Sequence, residues 1–183
     1  MSAPFIRPDA AEKAKNIRLF LVDVDGVLTD GGIVYDVDGR EIKRFHVRDG
    51  HGIKMLQRAG VEVGIITGRK SEVVAVRAKE LGISIVFQGA TDKVVAWKEI
   101  ISGKGLSPLE TAYVGDDIVD VPLMKRVGFA ASVADAEGYV REAADFVSAR
   151  SGGQGAVREI IEFVMRSSGA WEKVASRYFA TGP

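Results

Sequence analysis

Residues 17–26, with the sequence IRLFLVDVDG, form an apolar run that stops abruptly at two aspartates. A short apolar run ahead of a polar turn is typical of a strand buried on both faces of a parallel sheet. Similar runs recur at 61–66, 83–87, 111–114 and 127–131, with a weaker one at 146–147. Helix-patterned stretches lie between them, at 50–59, 71–81, 92–101, 117–125 and 136–143. This alternation predicts an α/β fold: a doubly wound, mainly parallel, Rossmann-like sheet with helices on both faces.

Composition excludes several classes of function. The 183 residues include 25 basic and 25 acidic side chains, so the formal net charge is zero and no nucleic-acid partner is expected. The absence of cysteine excludes disulfides, thiolate metal sites and cysteine nucleophiles. Residues 1–16 lack the apolar centre of a secretion signal, and no apolar run approaches the roughly 18 residues that cross a bilayer. We therefore expect a cytoplasmic protein of one domain with no membrane partner.

One segment interrupts the alternation of strands and helices. Residues 32–46 contain two β-leaning runs around the turn DVDG at 36–39, a pattern typical of a hairpin. The insert follows the first strand, at the edge where open α/β sheets bind ligands, and it is too small to be a cap domain. We therefore predict a β-hairpin beside the site and no cap domain.

The ends of the chain differ in character from its centre. We predict three parts: a polar lead-in (1–16), a core (17–150) and a C-terminal part (151–183). The C-terminal part begins with SGGQG at 151–155, which we expect to be a flexible breaker ahead of a helix over 156–165. The final stretch, 171–179, is apolar enough to need a partner surface.

Polar side chains follow three of the predicted strands. Asp23 and Asp25 follow the first, Thr67 the second, and Asp116 and Asp117 the fourth. Because the carboxyl ends of parallel strands converge, these acids would repel one another unless a cation neutralised them, and oxygen ligands without His or Cys favour Mg²⁺. Either later acid alone could instead cap a helix, but the joint pattern indicates a phosphoryl-transfer site.

Four motifs carry a resemblance to a known superfamily. The segments DVDGVLT (23–29), ITG (66–68), Lys93 and GDDIVD (115–120) resemble, in this order, the four motifs of the haloacid dehalogenase superfamily. The resemblance covers residues 17–131 and implies that superfamily's fold and its phosphatase chemistry.

The resemblance implies a role for each motif residue. Asp23 would attack phosphorus and form an aspartyl phosphate, and Asp25 would protonate the leaving alkoxide and later activate water. Thr67 would hold the phosphoryl oxygens, and Lys93 would offset their charge.

The resemblance also implies a Mg²⁺ site. Its ligands would be Asp23, Asp25 and Asp116. Asp117 would act in the outer shell, through water or by orienting Lys93. A fifth acid, Asp120, would cap or brace the loop.

Further segments narrow the resemblance. The missing cap, the hairpin, FHVRDGHGIK (45–54) and GGQGAVRE (152–159) resemble the family of phosphatases that act on 3-deoxy-D-manno-octulosonate 8-phosphate, an eight-carbon 2-keto sugar acid phosphate, in lipopolysaccharide synthesis. The resemblance implies a homotetramer in which hairpins build a central barrel and C-terminal tails reach a neighbour's site.

The same resemblance implies a set of substrate-binding residues. They are Asp25, His46, Val47, Arg48, Asp49, Gly50, Lys54, Arg69, Arg77 and Lys93. Arginine suits the bidentate binding of a carboxylate, which this substrate carries beside its phosphate. The chain departs from the family at His46, where Asn is common, and at Lys54, where Arg is common.

Three alternatives remain at this point. A phosphatase for the nine-carbon keto acid phosphate shares the motifs but tends to carry an acid where this chain has Arg69. A non-catalytic scaffold of the same fold usually lacks one of the key acids, which are all present here. A signalling receiver domain places its acidic pair first, whereas here the pair at 116–117 comes last.

Overall fold

A seven-stranded sheet forms the centre of the molecule in the computed structural model, which describes residues 3–179. The strands, including two of a separate hairpin, are β1 (Phe5–Ile6), β2 (Leu19–Val22), β3 (Val34–Tyr35), β4 (Glu41–Ile42), β5 (Glu62–Thr67), β6 (Ile85–Gln88), β7 (Thr111–Val114), β8 (Phe129–Ser132) and β9 (Phe146–Val147). Their order across the main sheet is β1-β9-β8-β7-β2-β5-β6. Every neighbouring pair is parallel except β1 with β9. The prediction of a mainly parallel sheet is confirmed.

Helices cover both faces of this sheet. They are α1 (Ala10–Ala14), α2 (Val47–Arg58), α3 (Glu72–Leu81), α4 (Lys93–Lys104), α5 (Val121–Met124), α6 (Gly138–Ala143), α7 (Ala156–Ser167) and α8 (Ala170–Phe179). Phe20 and Val22 of β2 pack on one side, with α1, α2, α3 and α7. Leu19 and Leu21 pack on the other side, with α4, α5 and α6. All four side chains are fully buried, which explains the continuous apolar run and confirms the doubly wound prediction.

The register of the central strands brings the predicted motifs together. Val22 of β2 pairs with Ile65 of β5 on one side and with Val114 of β7 on the other. The residues that follow these positions therefore emerge side by side at the carboxyl edge of the sheet.

The predicted hairpin is confirmed. Tyr35 pairs with Glu41 across β3 and β4. The turn between them is closed by Asp36, whose Oδ1 accepts hydrogen bonds from the backbone N–H groups of Asp38 and Arg40 at 2.9 and 2.8 Å. The hairpin stands beside the carboxyl edge of the sheet without forming a cap.

Two helices begin three or more residues away from their predicted starts. Helix α2 begins at Val47, three residues before the predicted start, because His46 caps it: His46 Nδ1 accepts a hydrogen bond from the N–H of Arg48 at 3.3 Å. The helix predicted over 117–125 is reduced to α5 at Val121–Met124. A turn held by the Asp120 carboxylate occupies the preceding residues.

The N-terminal residues take part in the core. Strand β1 pairs antiparallel with β9, Phe5 opposite Val147, and Ala10 and Ala14 of α1 are fully buried. The segment that we expected to be a polar lead-in therefore adds an edge strand and a helix to the same layers.

The glycine-rich segment 151–155 is not the flexible breaker that we expected. Gly152 and Gly153 are buried, and their N–H groups donate to Asp135 Oδ1 at 2.9 Å and to the Val27 carbonyl at 3.0 Å. The stretch 171–179 forms most of α8, which packs Val174 into the core beside α7. None of the helices in residues 3–179 has the length and apolar character needed to cross a membrane.

Candidate active site

A buried ion pair lies at the carboxyl edge of the sheet. Asp23 directly follows β2, and Lys93 is the first residue of α4, which begins there because Asp92 accepts the N–H of Val94 at 2.9 Å. Lys93 Nζ donates to Asp23 Oδ2 at 2.7 Å. Burial lowers the pKa of Lys93, but Asp23 and Asp120 outweigh it and raise the pKa above its usual value. Lys93 is therefore a permanent cation beside the predicted nucleophile.

Asp120 braces this pair and the loop after β7. Its Oδ1 accepts from Lys93 Nζ and from the Tyr113 hydroxyl, both at 2.6 Å. Its Oδ2 accepts from the N–H groups of Asp116 and Asp117 at 3.0 and 3.1 Å. With four donors on one fully buried carboxylate, Asp120 is a brace and does not have a free lone pair for a metal.

One of the two roles expected of Asp117, the orientation of Lys93, therefore belongs to Asp120, and the other, an outer-shell contact through water, stays a prediction. Asp117 is exposed, and its Oδ1 accepts only the adjacent N–H of Ile118, at 2.6 Å, among the contacts within residues 3–179. The alternative interpretation of Asp116 or Asp117 as a helix cap is also wrong, since the residue before α5 is Asp120. Sequence reasoning missed Tyr113, whose position two residues before Gly115 carries no signal of this contact.

Asp116 and Asp23 fit a divalent cation. Oxygens of Asp23, Asp116 and Asp120 lie within 4.8 Å of one another. Asp116 Oδ1 is buried, and no hydrogen-bond partner for it exists in the part of the chain that the structure describes. Burial, together with the charges of Asp23 and Asp120, raises the pKa of Asp116 to about 7, and burial raises that of Asp23 to about 6. A hard cation such as Mg²⁺ satisfies the free oxygen and offsets this repulsion.

Gly26 makes this close approach possible. Its φ is +86°, and a Cβ at this position would overlap the Asp116 carboxylate. Only glycine therefore combines the left-handed backbone with the space that Asp116 occupies.

Asp25 is held by the hairpin and not by the acidic group. Its Oδ1 pairs with Lys43 Nζ from the hairpin, and its Oδ2 lies 3.9 Å from Arg69 Nη1. Glu41 joins them, with its Oε1 3.2 Å from Lys43 Nζ and 2.8 Å from Arg69 Nη2. The Asp25 carboxylate is thus turned toward these cations, and the assignment of Asp25 as a metal ligand stays a prediction. Sequence reasoning missed Lys43 and Glu41, although alternation along the hairpin could have placed both on one face.

Thr67 and Arg69 lie where the motif order predicted. Thr67 is the last residue of β5, next to β2 in the sheet, and it is buried. Arg69 follows two residues later, and its Nη1 is buried without a hydrogen-bond partner among residues 3–179. An unpaired guanidinium donor facing Asp25 is suited to an incoming anion.

The remaining predicted substrate residues form a second group around the start of α2. Arg77 lies over the Phe45 ring at 5.6 Å and fills the space beside Gly50, where a Cβ would overlap it. Asp49 Oδ1 accepts the N–H of Arg158 at 2.7 Å, and burial raises the pKa of Asp49.

Three further predicted residues lie on α2 itself. Val47 and Arg48 are exposed in its first turn, beside the capping His46. Lys54 lies further along the helix, with its Nζ beside Gly82 at the end of α3. The structure thus brings Asp23, Asp25, Thr67, Lys93 and Asp116 together and leaves the α2 residues as a neighbouring group.

The fold and the site define a class of protein. A buried aspartate with a second acid two residues later, a lysine and a cation site at the edge of a doubly wound sheet is the arrangement of an aspartate-dependent phosphoryl-transfer enzyme.

Comparison with known proteins identifies the family. A profile of haloacid dehalogenase-like hydrolases matches residues 40–128. The chain is 43% identical over 148 residues to the 3-deoxy-D-manno-octulosonate 8-phosphate phosphatase KdsC of Escherichia coli K12. The aligned residues cover 81% of this chain and 79% of that protein. The chain therefore belongs to the haloacid dehalogenase-like hydrolases and, within them, to the family of 3-deoxy-D-manno-octulosonate 8-phosphate phosphatases.

Solved structures agree with this assignment. A probable YrbI family phosphatase from Pseudomonas syringae pv. phaseolica has a TM-score of 0.92 and 43% identity, over 95% of this chain and 99% of that one. The 3-deoxy-D-manno-octulosonate 8-phosphate phosphatase from Moraxella catarrhalis, in complex with magnesium ion, phosphate ion and KDO, has a TM-score of 0.91 and 39% identity. The match covers 93% of this chain and 98% of that one. The resemblance inferred from the motifs is confirmed.

Proposed function

We propose that this chain is a Mg²⁺-dependent phosphatase that hydrolyses 3-deoxy-D-manno-octulosonate 8-phosphate to the free acid and phosphate, in lipopolysaccharide synthesis. One observation carries the proposal: four buried side-chain atoms lack a hydrogen-bond partner among residues 3–179, and two of these atoms, the acceptor Asp116 Oδ1 and the donor Arg69 Nη1, are of opposite kind. They lie on the two sides of the Asp23–Asp25 loop. An unpaired buried acceptor calls for a cation, and an unpaired buried donor calls for an anion.

The side chains support hydrolysis in two steps. Asp23 attacks phosphorus while the bond to the sugar oxygen breaks, and Asp25 gives its proton to that oxygen. Water, losing its proton to Asp25, then attacks the aspartyl phosphate and releases phosphate. Mg²⁺ held by Asp23 and Asp116 would reduce the repulsion between the carboxylate and the phosphate dianion. Lys93 adds a fixed positive charge on the same side.

Two alternatives are less well supported. A nine-carbon keto acid phosphate is disfavoured by Arg69, where we expect an acid in enzymes for that substrate. A non-catalytic scaffold is disfavoured because Asp23, Asp25, Lys93 and Asp116 are all present. The ion pair of Lys93 with Asp23 and the approach of Asp116 to Asp23 support the same conclusion.

We further propose that the enzyme is a cytoplasmic homotetramer in which the hairpin and the part after residue 151 are interface elements. The hairpin exposes half or more of three apolar side chains, Val34, Tyr35 and Ile42. A cluster of exposed apolar side chains is typical of a surface that another protein surface covers. A cleft of about 580 Å³ lies between the hairpin and the start of α3. A neighbouring subunit would close it. Light scattering coupled to size-exclusion chromatography tests this, and a fully active monomer would contradict it.

The first experiment measures phosphate release with and without EDTA from three substrates: the eight-carbon acid phosphate, the nine-carbon acid phosphate and a simple sugar phosphate. We expect Mg²⁺-dependent preference for the eight-carbon substrate. Asp23→Asn should abolish turnover while the circular dichroism spectrum is unchanged. Equal activity on all three esters would contradict the substrate assignment, and activity retained by Asp23→Asn would contradict the covalent mechanism.

A further inference from the structure

The hairpin places a buried lysine against the predicted general acid–base. We infer that Lys43 is a positioning residue, which holds the Asp25 carboxylate in the orientation needed for proton transfer to the leaving group. This inference rests on the proposed phosphatase function and extends it to a residue outside the four motifs.

The burial of Lys43 sets it apart from the other hairpin cations. Its side chain is 1% exposed, whereas those of Arg40 and Arg44 are 78% and 73% exposed. A buried ammonium group is costly unless carboxylates compensate it. Asp25 Oδ1 and Glu41 Oε1 supply that compensation. The ammonium group therefore has a reason to stay in one place, against Asp25.

A chain of contacts fixes Lys43 in turn. Glu41 is tied to Arg69 by the 2.8 Å ion pair and to Ser71, whose hydroxyl donates to Glu41 Oε2. The N–H of Ser71 donates to Gln88 Oε1 at 2.6 Å, at the end of β6. These side chains thereby fix the hairpin to the carboxyl edge of the main sheet. The last contact in the series is that of Lys43 with Asp25.

The contact selects which oxygen of Asp25 can act. Lys43 occupies Oδ1, so Oδ2 is the oxygen left for exchange of a proton with the substrate. A freely rotating carboxylate would spend part of its time turned toward the cation site formed by Asp23 and Asp116. Holding a catalytic group in one productive geometry is a recognised source of rate enhancement.

If Lys43 positions Asp25, the loss of rate caused by removing Lys43 should depend on the leaving group. The alkoxide of a sugar is strongly basic and needs a proton as the P–O bond breaks, whereas p-nitrophenolate leaves without one. General-acid catalysis contributes about 10²–10⁴-fold in favourable cases. Loss of Asp25 positioning should therefore slow the sugar ester and spare the aryl ester.

The test compares Lys43→Met with wild type in single-turnover release of the alcohol from the eight-carbon acid phosphate and from p-nitrophenyl phosphate. We expect a loss of about 10²-fold on the sugar ester and less than about tenfold on the aryl ester. Arg44→Met is the matched control: it removes an exposed cation one position along the hairpin, and both rates should stay within twofold of wild type, a margin of about 0.4 kcal/mol.

Two outcomes would overturn the inference: equal losses on both esters, which indicate a merely structural role, or no loss on either. If Lys43→Met does not fold, Glu41→Gln, which keeps the lysine and removes its second carboxylate, should give the same selective loss on a smaller scale. If wild type hydrolyses other sugar phosphates but not the eight-carbon one, the substrate proposal fails. The same comparison made with the accepted ester then still decides the role of Lys43.

Discussion

Replacing Asp116 with asparagine should stabilise the protein when no metal is bound. The folded state raises the pKa of this carboxyl from 3.8 to about 7, through burial and the charges of Asp23 and Asp120. A raised pKa means that the ionised form is disfavoured in the folded state. The stability that the protonated Asp116 carboxyl contributes is therefore fully present below pH 3.8 and is lost as pH rises through about 7.

The size of the effect follows from the interval between the two pKa values. At about 1.4 kcal/mol per pH unit, an interval of about three units corresponds to a loss of at most about 4 kcal/mol at pH 8. Asparagine keeps the shape and cannot ionise, so Asp116→Asn should recover up to that amount at pH 8 and much less at pH 5.

Urea unfolding in EDTA at pH 5 and pH 8, followed by titration with Mg²⁺, measures both consequences. Wild type should gain stability from Mg²⁺ through preferential binding to the folded state, and Asp116→Asn should gain little. Asp117→Asn, which removes an exposed carboxylate from the adjacent position, should behave like wild type in both series. A less stable Asp116→Asn protein at pH 8 in EDTA, or one stabilised by Mg²⁺ as strongly as wild type, would refute the reasoning.

Three further predictions concern the same site. Gly152→Ala should lower the free energy of unfolding by about 1–3 kcal/mol and reduce kcat, because the added Cβ would overlap the Gly26 carbonyl oxygen. The control Gly103→Ala, which has open space around it, should be neutral or stabilising, and urea unfolding of both variants measures the difference. Tyr113→Phe should cost about 0.5–1.5 kcal/mol by removing one of four donors to Asp120, and Asp120→Asn should cost more; thermal unfolding of both variants checks the order. Mg²⁺ affinity, measured by calorimetry, should weaken as pH falls below 7, because protons compete at the two carboxyls with pKa values of about 7 and about 6, and a pH-independent affinity would contradict this.

Much of the fold could be predicted because the local patterns agree with the tertiary structure. The run Leu19–Val22 is apolar at every position since both faces of β2 are covered, and Asp23 marks its end at the sheet edge. The DVDG turn at 36–39 likewise closes the hairpin with contacts between near neighbours in sequence.

The bounds of α2 could not be predicted for a different physical reason. Glycine weakens a helix, yet Gly50 and Gly52 both stand in the first two turns of α2. In the structure both lie inside α2, where a Cβ would press on Arg77 and on Arg158 respectively. These glycines allow α2 to pack closely against Arg77 of α3 and Arg158 of α7. Helix propensity, which depends on neighbouring residues in the sequence, does not reflect such contacts.

The partners within the site were the least predictable part. Asp120 and Lys93 are 27 residues apart, and Lys43 and Asp25 are 18 apart. The motifs indicate which residue types meet at the sheet edge, but the order of strands and the direction of the hairpin decide which cation contacts which carboxylate. The sequence therefore indicated neither the contact of Asp25 with Lys43 nor that of Lys93 with Asp120.

The pairing of β1 with β9 has a consequence for biosynthesis. Residue 5 pairs with residue 147, so a nascent chain cannot complete this edge of the sheet until residue 147 has left the ribosome. Contacts between such distant residues form late because closing a long loop costs entropy. The catalytic strands β2, β5 and β7 need only residues up to 114 and can pair earlier. A bulky N-terminal fusion should therefore hinder the last step of folding while leaving the catalytic centre able to assemble.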